Sequence, residues 1–186
     1  MENFSESDYF VIIEQYHNVV YRFINMTVKN QWVADDLTQE TFIKAHNRID
    51  SLEDVGKMKS WLIRIAYNLC LDHFKGAAKN KFDSLDSIEE VFSANILPMV
   101  KQLERNEMSQ CVQDKMLLLP QSYRTILSLS DIAGLTQSEI AEVLEVNVGN
   151  VKVRLHRARL KMREILNQHC NFGNDERAVL VCTPKY

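Results

Sequence analysis

The sequence predicts an all-α protein of two small helical domains joined by a flexible linker, with a tail whose composition allows a short C-terminal β-hairpin. Apolar residues recur at helical spacing along most of the chain, and no alternating strand pattern precedes the tail. That periodicity stops between residues 76 and 99, where glycine, alanine, acidic residues and a proline accumulate. Residues 120–166 then show the helix–turn–helix pattern of a compact second domain.

We expect domain boundaries where this periodicity changes. The first domain occupies residues 1–76, the linker 77–99, the second domain 100–167 and the tail 168–186. Hydrophobic residues make up 46% of the 186 residues, which is enough to form two cores. No secretory signal precedes the first helix and no apolar run could span a bilayer, so we expect a cytoplasmic protein without membrane insertion.

Three helices are predicted in the first domain. The first begins at a cap provided by Ser5 or Ser7 and ends at about Val28. The second spans about residues 32–49 and the third about residues 58–75. The residues expected on the buried side of the first helix are Phe10, Ile13, Tyr16, Val20, Phe23 and Ile24.

The second and third helices carry contrasting polar faces. Asp36, Gln39 and Glu40 share an acidic face of the second helix, which on its own most often means a solvated surface but also suits a basic partner. The third helix and the loop before it interleave cations with aromatic residues: Lys57, Lys59, Trp61, Arg64 and Tyr67. Aromatic rings beside cations favour unstacked nucleic-acid bases, because every base offers a π-face. Trp61 taken alone is more simply explained as a core residue.

Capping signals divide the second domain into helices. Pro120 opens one helix at a position where its missing N–H costs nothing, and Gly134 closes it. Thr136 and Glu139 form a capping box at the start of a short helix that reaches residue 144. A turn at residues 145–149 leads to the last helix.

The last helix, about residues 150–166, is basic and amphipathic. Its apolar stripe consists of Val151, Leu155, Ala158, Met162 and Ile165. Its cations are Lys152, Arg154, Arg157, Arg159, Lys161 and Arg163. Such a helix alone also fits a solvated surface, a membrane or calmodulin, but the capped helix and turn before it favour a DNA groove. The expected groove contacts are Lys152, Val153, His156 and Arg157, with the flanking cations at phosphates.

The tail carries weaker signals. A turn is predicted at residues 173–175 and a strand at residues 179–181, which together allow a hairpin. Weak candidates for a metal site or a redox pair are His169, Cys170 and Cys182. They lack Cys-x-x-Cys spacing and make a poor zinc signature, so neither a metal nor a cofactor is expected.

Several motifs, in the expected order and spacing, resemble those of the extracytoplasmic-function (ECF) sigma factors, the two-domain members of the bacterial sigma-70 family. DDLTQETFIKA at residues 35–45 is similar to the family's polymerase-binding segment. SWLIRIAYNLCLD at residues 60–72 is similar to its promoter-melting helix. The segments similar to its −35-reading domain are LPQSYR (119–124), TQSEIA (136–141) and VGNVKVRLHRAR (148–159).

The resemblance implies a factor that binds the β′ and β subunits of core RNA polymerase and promoter DNA, with no enzymatic activity and no small-molecule substrate. The implied polymerase contacts are Asp36, Leu37, Gln39, Glu40 and Phe42. The residues implied to capture and melt the −10 element are Lys57, Lys59, Trp61, Arg64, Tyr67 and Asn68. Those implied to read the −35 element are Asn150, Lys152, Val153, Arg154, His156, Arg157 and Arg159. The resemblance also implies an anti-sigma factor as a further partner.

Two residues depart from the family pattern. Asn150 and Val153 stand where the family usually has Thr and a small polar residue, so we expect a −35 sequence other than the commonest.

Two other functions fit the sequence less well. A stand-alone helix–turn–helix regulator would have little use for the acidic face or the aromatic-basic helix. An enzyme is disfavoured because the sequence shows no nucleophile–base pair, carboxylate dyad or phosphate-cradling glycine loop.

Overall fold

The computed structural model describes residues 6–52, 54–79, 107–174 and 180–184, and it confirms the all-α fold class. The helices of these segments are α1 (Glu6–Val28), α2 (Gln31–His46), α3 (Met58–Lys79), α4 (Glu107–Met116), α5 (Gln121–Leu127), α6 (Gln137–Leu144) and α7 (Val148–His169). Short 3-10 turns at Ile49–Ser51 and Val55–Lys57 precede α3, and a π-helical segment at Ser128–Ile132 follows α5. The strands are β1 (Cys170–Asn174) and β2 (Leu180–Pro184). Residues 80–106, with most of the predicted linker, lie outside the described segments.

α1, α2 and α3 pack against one another and form what we call the N-terminal unit. Side chains with no exposed surface fill its centre: Val20, Phe23, Ile24, Ala34, Ala45, Leu62, Ile63 and Ala66. Asn30 begins α2 by accepting hydrogen bonds from the backbone N–H groups of Trp32 and Val33. Burial of these apolar faces, more than helix propensity, stabilises helices of this length.

Two local predictions for the N-terminal unit are wrong. Phe10 is 68% exposed, because Tyr9 takes the inner position on α1 and donates a hydrogen bond from its hydroxyl to the Phe42 carbonyl. α2 ends at His46 rather than near residue 49. The N–H groups of Arg48, Ser51 and Leu52 bond to carbonyls three residues back, so the chain tightens into 3-10 geometry.

The helices α4 to α7 form the C-terminal unit, and α7 runs through its centre. The predicted apolar stripe of α7 is buried in full, at Val151, Leu155, Ala158, Met162 and Ile165. The predicted capping box at the start of α6 is also present. The Glu139 carboxylate accepts from the Thr136 N–H at 2.7 Å, and the Thr136 hydroxyl oxygen accepts from the Glu139 N–H at 3.3 Å.

The helix predicted between Pro120 and Gly134 is interrupted. α5 ends at Leu127 and the chain continues as the π-helical segment, where the Ala133 N–H donates to the Ser128 carbonyl at 2.8 Å. This wider turn rotates the side chains that follow relative to those of α5. Gly134 ends the segment with a φ of 63°, which glycine adopts without strain, and this agrees with its predicted closing role.

The tail forms the antiparallel pair that its composition allowed. The register places Phe172 opposite Cys182. The predicted turn is misplaced, because pairing continues to Asn174 opposite Leu180 and so includes Gly173. Among the described helices, none is long and apolar enough to cross a bilayer.

Candidate nucleic-acid and polymerase interfaces

The acidic face of α2 forms as its spacing predicted. Asp36 and Gln39 are exposed, and Glu40, partly exposed, pairs with the Lys44 ammonium at 2.9 Å. The two apolar residues assigned to the same contact, Leu37 and Phe42, are buried in the core instead. α2 therefore presents polar groups outward and is held from behind by Leu37 and Phe42.

Two exposed apolar side chains extend this face and were not singled out from the sequence. Trp32 is 81% exposed and Ile43 is 61% exposed, at the two ends of the row that contains Asp36 and Gln39. The row advances by four, three and four residues, which keeps it on one side of a helix. That spacing is readable in the sequence, but exposure is not. Large apolar side chains that stay exposed beside polar groups can mark a protein contact surface.

The predicted −10 residues lie together along α3 and the turn before it. Lys57, Arg64 and Asn68 are exposed, while Lys59 is partly exposed. Trp61 and Tyr67 are half-buried and pack against the core. Burial raises the pKa of the Tyr67 hydroxyl, which therefore stays protonated at neutral pH.

The cations of this surface contact the C-terminal unit. The Lys57 ammonium lies 3.5 Å from the Glu142 carboxylate, and the Arg64 guanidinium lies 2.9 Å from the Glu145 carboxylate. The Lys59 ammonium donates to the carbonyl of Gly134 at 3.0 Å. The acceptors lie along α6 and at its two ends. Proximity of these groups was not predictable from the sequence, because each contact joins residues far apart along the chain.

The predicted −35 residues lie on the exposed surface of α7. Asn150, Lys152, Val153, Arg154, His156, Arg157 and Arg159 are all exposed. Val153 is 50% exposed, which makes it available for apolar contact with a base. Arg159 differs from the others, because its guanidinium lies 3.3 Å from both the Asp131 carboxylate and the Ser130 hydroxyl. It faces the π-helical segment and is less available to DNA.

A buried cation joins the end of α1 to the C-terminal unit. Arg124 is 2% exposed, and its guanidinium donates to the carbonyls of Leu119 at 2.9 Å and Thr27 at 3.4 Å. Burial lowers the pKa of Arg124 to about 10, so the group remains charged at neutral pH. Next to it the Lys29 ammonium donates to the Leu117 carbonyl at 2.6 Å. Burial and the charge of Arg124 lower the pKa of Lys29 to about 8.

The weak metal candidates of the tail are only partly described. His169 is half-buried with Nδ1 2.9 Å from the Ile165 carbonyl, and Cys170 is buried. Within the described residues there is no group of three or more metal-binding side chains. The side chain of Cys182 lies outside them, so this candidate stays a prediction.

Family models and relatives agree on one family. Residues 12–80 match the model of Sigma-70 region 2, and residues 109–162 match that of Sigma-70, region 4. The ECF RNA polymerase sigma factor SigW of Bacillus subtilis is 32% identical over 163 residues, covering 83% of this chain and 87% of the relative. SigM of the same organism is 32% identical over 160 residues, covering 86% of this chain and 96% of the relative.

Solved structures show the same fold. The sigma factor RpoE of Bartonella quintana, in complex with the anti-sigma factor NepR, superposes with a TM-score of 0.74 at 22% identity. The superposition covers 87% of this chain and 98% of that one. CnrH in complex with the cytosolic domain of CnrY gives a TM-score of 0.61 at 22% identity, covering 88% and 90% of the two chains.

Proposed function

This chain belongs to the ECF sigma factors of the sigma-70 family and directs promoter-specific transcription by RNA polymerase, and we propose a separate role for each of its helices α2, α3 and α7. α2 docks on core polymerase, α3 captures and melts the −10 element, and α7 reads the −35 element. The observation that supports this division is the segregation of charge. Acidic and amide groups face outward from α2, whereas cations face outward from α3 and α7.

The docking surface on α2 combines Asp36, Gln39 and Glu40 with the apolar ends Trp32 and Ile43. Carboxylates favour a basic partner surface, here on the β′ subunit, and the two exposed apolar residues gain from burial against that partner. An exposed tryptophan is among the residues that contribute most binding energy when buried. Leu37 and Phe42 act indirectly, by holding α2 in the core.

The −10 surface on α3 consists of Lys57, Lys59, Trp61, Arg64, Tyr67 and Asn68. Unstacking a base costs a few kcal/mol, which stacking on an aromatic ring and charge neutralisation at phosphates can offset. The half-buried Trp61 and Tyr67 are the rings available for stacking, since each packs against the core and keeps part of its surface exposed. The chain carries out no covalent chemistry in this role, and the free energy of its contacts with the DNA offsets the cost of melting.

The −35 surface on α7 consists of Asn150, Lys152, Val153, Arg154, His156 and Arg157, with Arg159 in a lesser role. A helix of this kind lies in the major groove, where Arg and Lys donate to guanine and Val contacts a thymine methyl. Arg159 keeps its carboxylate partner and contributes mainly to the local positive potential.

We further infer that the chain acts in the cytoplasm, where polymerase and promoter DNA are found, and that an anti-sigma protein binds it. RpoE, whose fold it shares, was solved in complex with an anti-sigma factor. The partner is tested by titrating small proteins encoded beside this chain into a transcription reaction. A partner should bind the chain and lower its activity, and failure of every such protein to bind contradicts the inference.

Run-off transcription with bacterial core polymerase on sheared genomic DNA tests the function, in reactions with and without this protein. Discrete transcripts should appear only when the protein is present, and their upstream sequences should share two short elements. A folded protein that binds DNA and stimulates no transcription would behave as a stand-alone regulator instead, which neither the relatives nor the acidic face of α2 favours.

A further inference from the structure

The face of α3 assigned above to promoter DNA is already in contact with another part of the same chain. Lys57 and Arg64 pair with Glu142 and Glu145 of α6 and its C-terminal cap, and Lys59 donates to the Gly134 carbonyl just before α6. Carboxylate and carbonyl oxygens thus engage all three cations proposed to bind −10 phosphates and bases.

We propose that this contact is a closed, self-inhibited state of the free chain, in which acidic α6 occupies the DNA-binding face of α3. The inference rests on the proposed role of α3. Lys and Arg bind carboxylates with the same donors and similar geometry that they use for phosphates. Glu142 and Glu145 therefore compete with promoter DNA for Lys57 and Arg64, and the −10 surface is available only when α6 moves away.

The ion pairs are suited to release. In the first pair, the side chains of Lys57 and Glu142 are 56% and 55% exposed. In the second pair, those of Arg64 and Glu145 are 50% and 72% exposed. Exposed pairs contribute little to stability and are screened by salt. A DNA strand brings a dense row of phosphates and can displace two carboxylates, so the contact lowers DNA affinity without preventing binding.

A second contact joins the N-terminal and C-terminal units at a place outside the DNA-binding face of α3. Arg124 and Lys29 donate to backbone carbonyls at the junction between α1 and the C-terminal unit. Cations at the C-terminal end of a helix such as α1 are favoured by its dipole. The closed state thus has one polar buried junction, at α1, and one exposed electrostatic contact, at α3, and only the second competes with DNA.

The test compares the wild-type chain with a Glu142→Gln/Glu145→Gln variant. Binding of a fluorescent, random-sequence single-stranded DNA 20-mer to the free chain is measured by anisotropy, and the radius of gyration by small-angle X-ray scattering. We expect the variant to bind the DNA about fivefold more tightly, because DNA must displace the carboxylates in the wild-type chain and exposed pairs of this kind have small energies. We also expect its radius of gyration to be larger, because α6 then swings away from α3 about the junction at α1, which stays intact.

The matched control is Glu14→Gln/Asp50→Asn, which removes the same charge from exposed positions outside the α3–α6 contact and away from α7. It should leave both readouts near the wild-type values. An equal gain in DNA affinity in this control would show a general charge effect and overturn the proposal. A charge swap, Lys57→Glu with Glu142→Lys, rebuilds one pair with reversed polarity and should keep the wild-type radius, whereas Glu142→Lys alone should increase it.

The outcomes separate this inference from the function on which it rests. An unchanged radius in the Glu142→Gln/Glu145→Gln variant overturns the closed state, whatever the transcription assay shows. A larger radius with unchanged DNA affinity would show that α6 leaves α3 in this variant. It would overturn the claim that α6 blocks DNA binding, and with it the assignment of DNA to α3. Polymerase-dependent transcription by the wild-type chain remains an independent measure of the sigma function.

Discussion

α3 and α7 are both basic helices assigned to promoter DNA, yet their cations have different surroundings. On α7, Lys152 and Arg157 are exposed, and of the predicted −35 set only Arg159, at its edge, pairs with a carboxylate from the described part of the chain. On α3 and the turn before it, Lys57 and Arg64 each have a carboxylate partner on or beside α6. Equal charge in the sequence therefore does not mean equal availability, since a cation paired within the chain must exchange one anion for another before it binds DNA.

The largest expected effect removes polymerase docking and leaves both DNA surfaces unchanged. Gln39→Ala/Glu40→Ala should abolish binding to core polymerase, because it deletes the polar centre of the α2 face while Leu37 and Phe42 keep the helix packed. Binding is measured by fluorescence anisotropy with labelled protein. Lys44→Ala, which removes only the cation that pairs with Glu40, is the control and should bind normally. Normal polymerase binding by the double variant would contradict the assignment of α2.

The junction that supports the α3–α6 contact is tested by Arg124→Ala. The change deletes a buried guanidinium and leaves the Thr27 and Leu119 carbonyls without this donor. We expect the free energy of unfolding to fall by about 2 kcal/mol, as for other losses of buried, charge-assisted hydrogen bonds. Urea unfolding followed by circular dichroism measures it. A Ser122→Ala variant, at an exposed position on α5, serves as control, and equal stability of the two variants would contradict the role of Arg124.

The contrast between the two basic helices is tested directly by Arg157→Ala and Arg64→Ala in the free chain. Arg157→Ala should weaken binding to duplex containing the −35 element by about 1–3 kcal/mol. Arg64→Ala should have a smaller effect on single-stranded −10 DNA, because Glu145 already engages this guanidinium at 2.9 Å. Both affinities are measured by anisotropy at several salt concentrations. A loss at Arg64 as large as that at Arg157 would show that the α3 cations are as available as those of α7.

The smallest expected effect is a pH dependence at Lys29. Its pKa falls from the usual 10.5 to about 8 in the folded chain, so between these values the unfolded chain binds more protons than the folded one. Stability from this group therefore rises with pH above about 8 and is constant at lower pH, where both forms are protonated. Urea midpoints from about pH 7 to 9.5 should show a steeper rise for wild type than for Lys29→Met. Identical slopes would exclude Lys29 as the titrating group.

Much of the fold was predictable because its signals are local. The capping box of Thr136 and Glu139 spans one helical turn, and the stripe of α7 repeats every three to four residues. Phe10 and Tyr9 show where such reasoning fails. Adjacent apolar residues point about 100° apart on a helix, and the phase of the buried face is set by the partner helices rather than by α1 itself.

The candidate surfaces were predictable as residue sets, but their accessibility was not. Asp36, Gln39 and the outer residues of α7 are exposed where the helical period places them. The exposure of Trp32 has no local signal, because a tryptophan at that spacing could equally face a core. The wider π turn after Leu127 also has no local signal, since it depends on how α5 meets its neighbours.

By itself, the sequence determined the helical class, the buried stripe of α7, the capping box of α6 and the family, because each depends on residue order within a few helical turns or on motifs in series. Only the tertiary structure decided that Lys57, Lys59 and Arg64 contact α6 and that Arg124 is buried against the end of α1. These contacts join residues that are distant along the chain, and their formation depends on the packing of whole helices. Short-range propensity and periodicity contain no information about such packing.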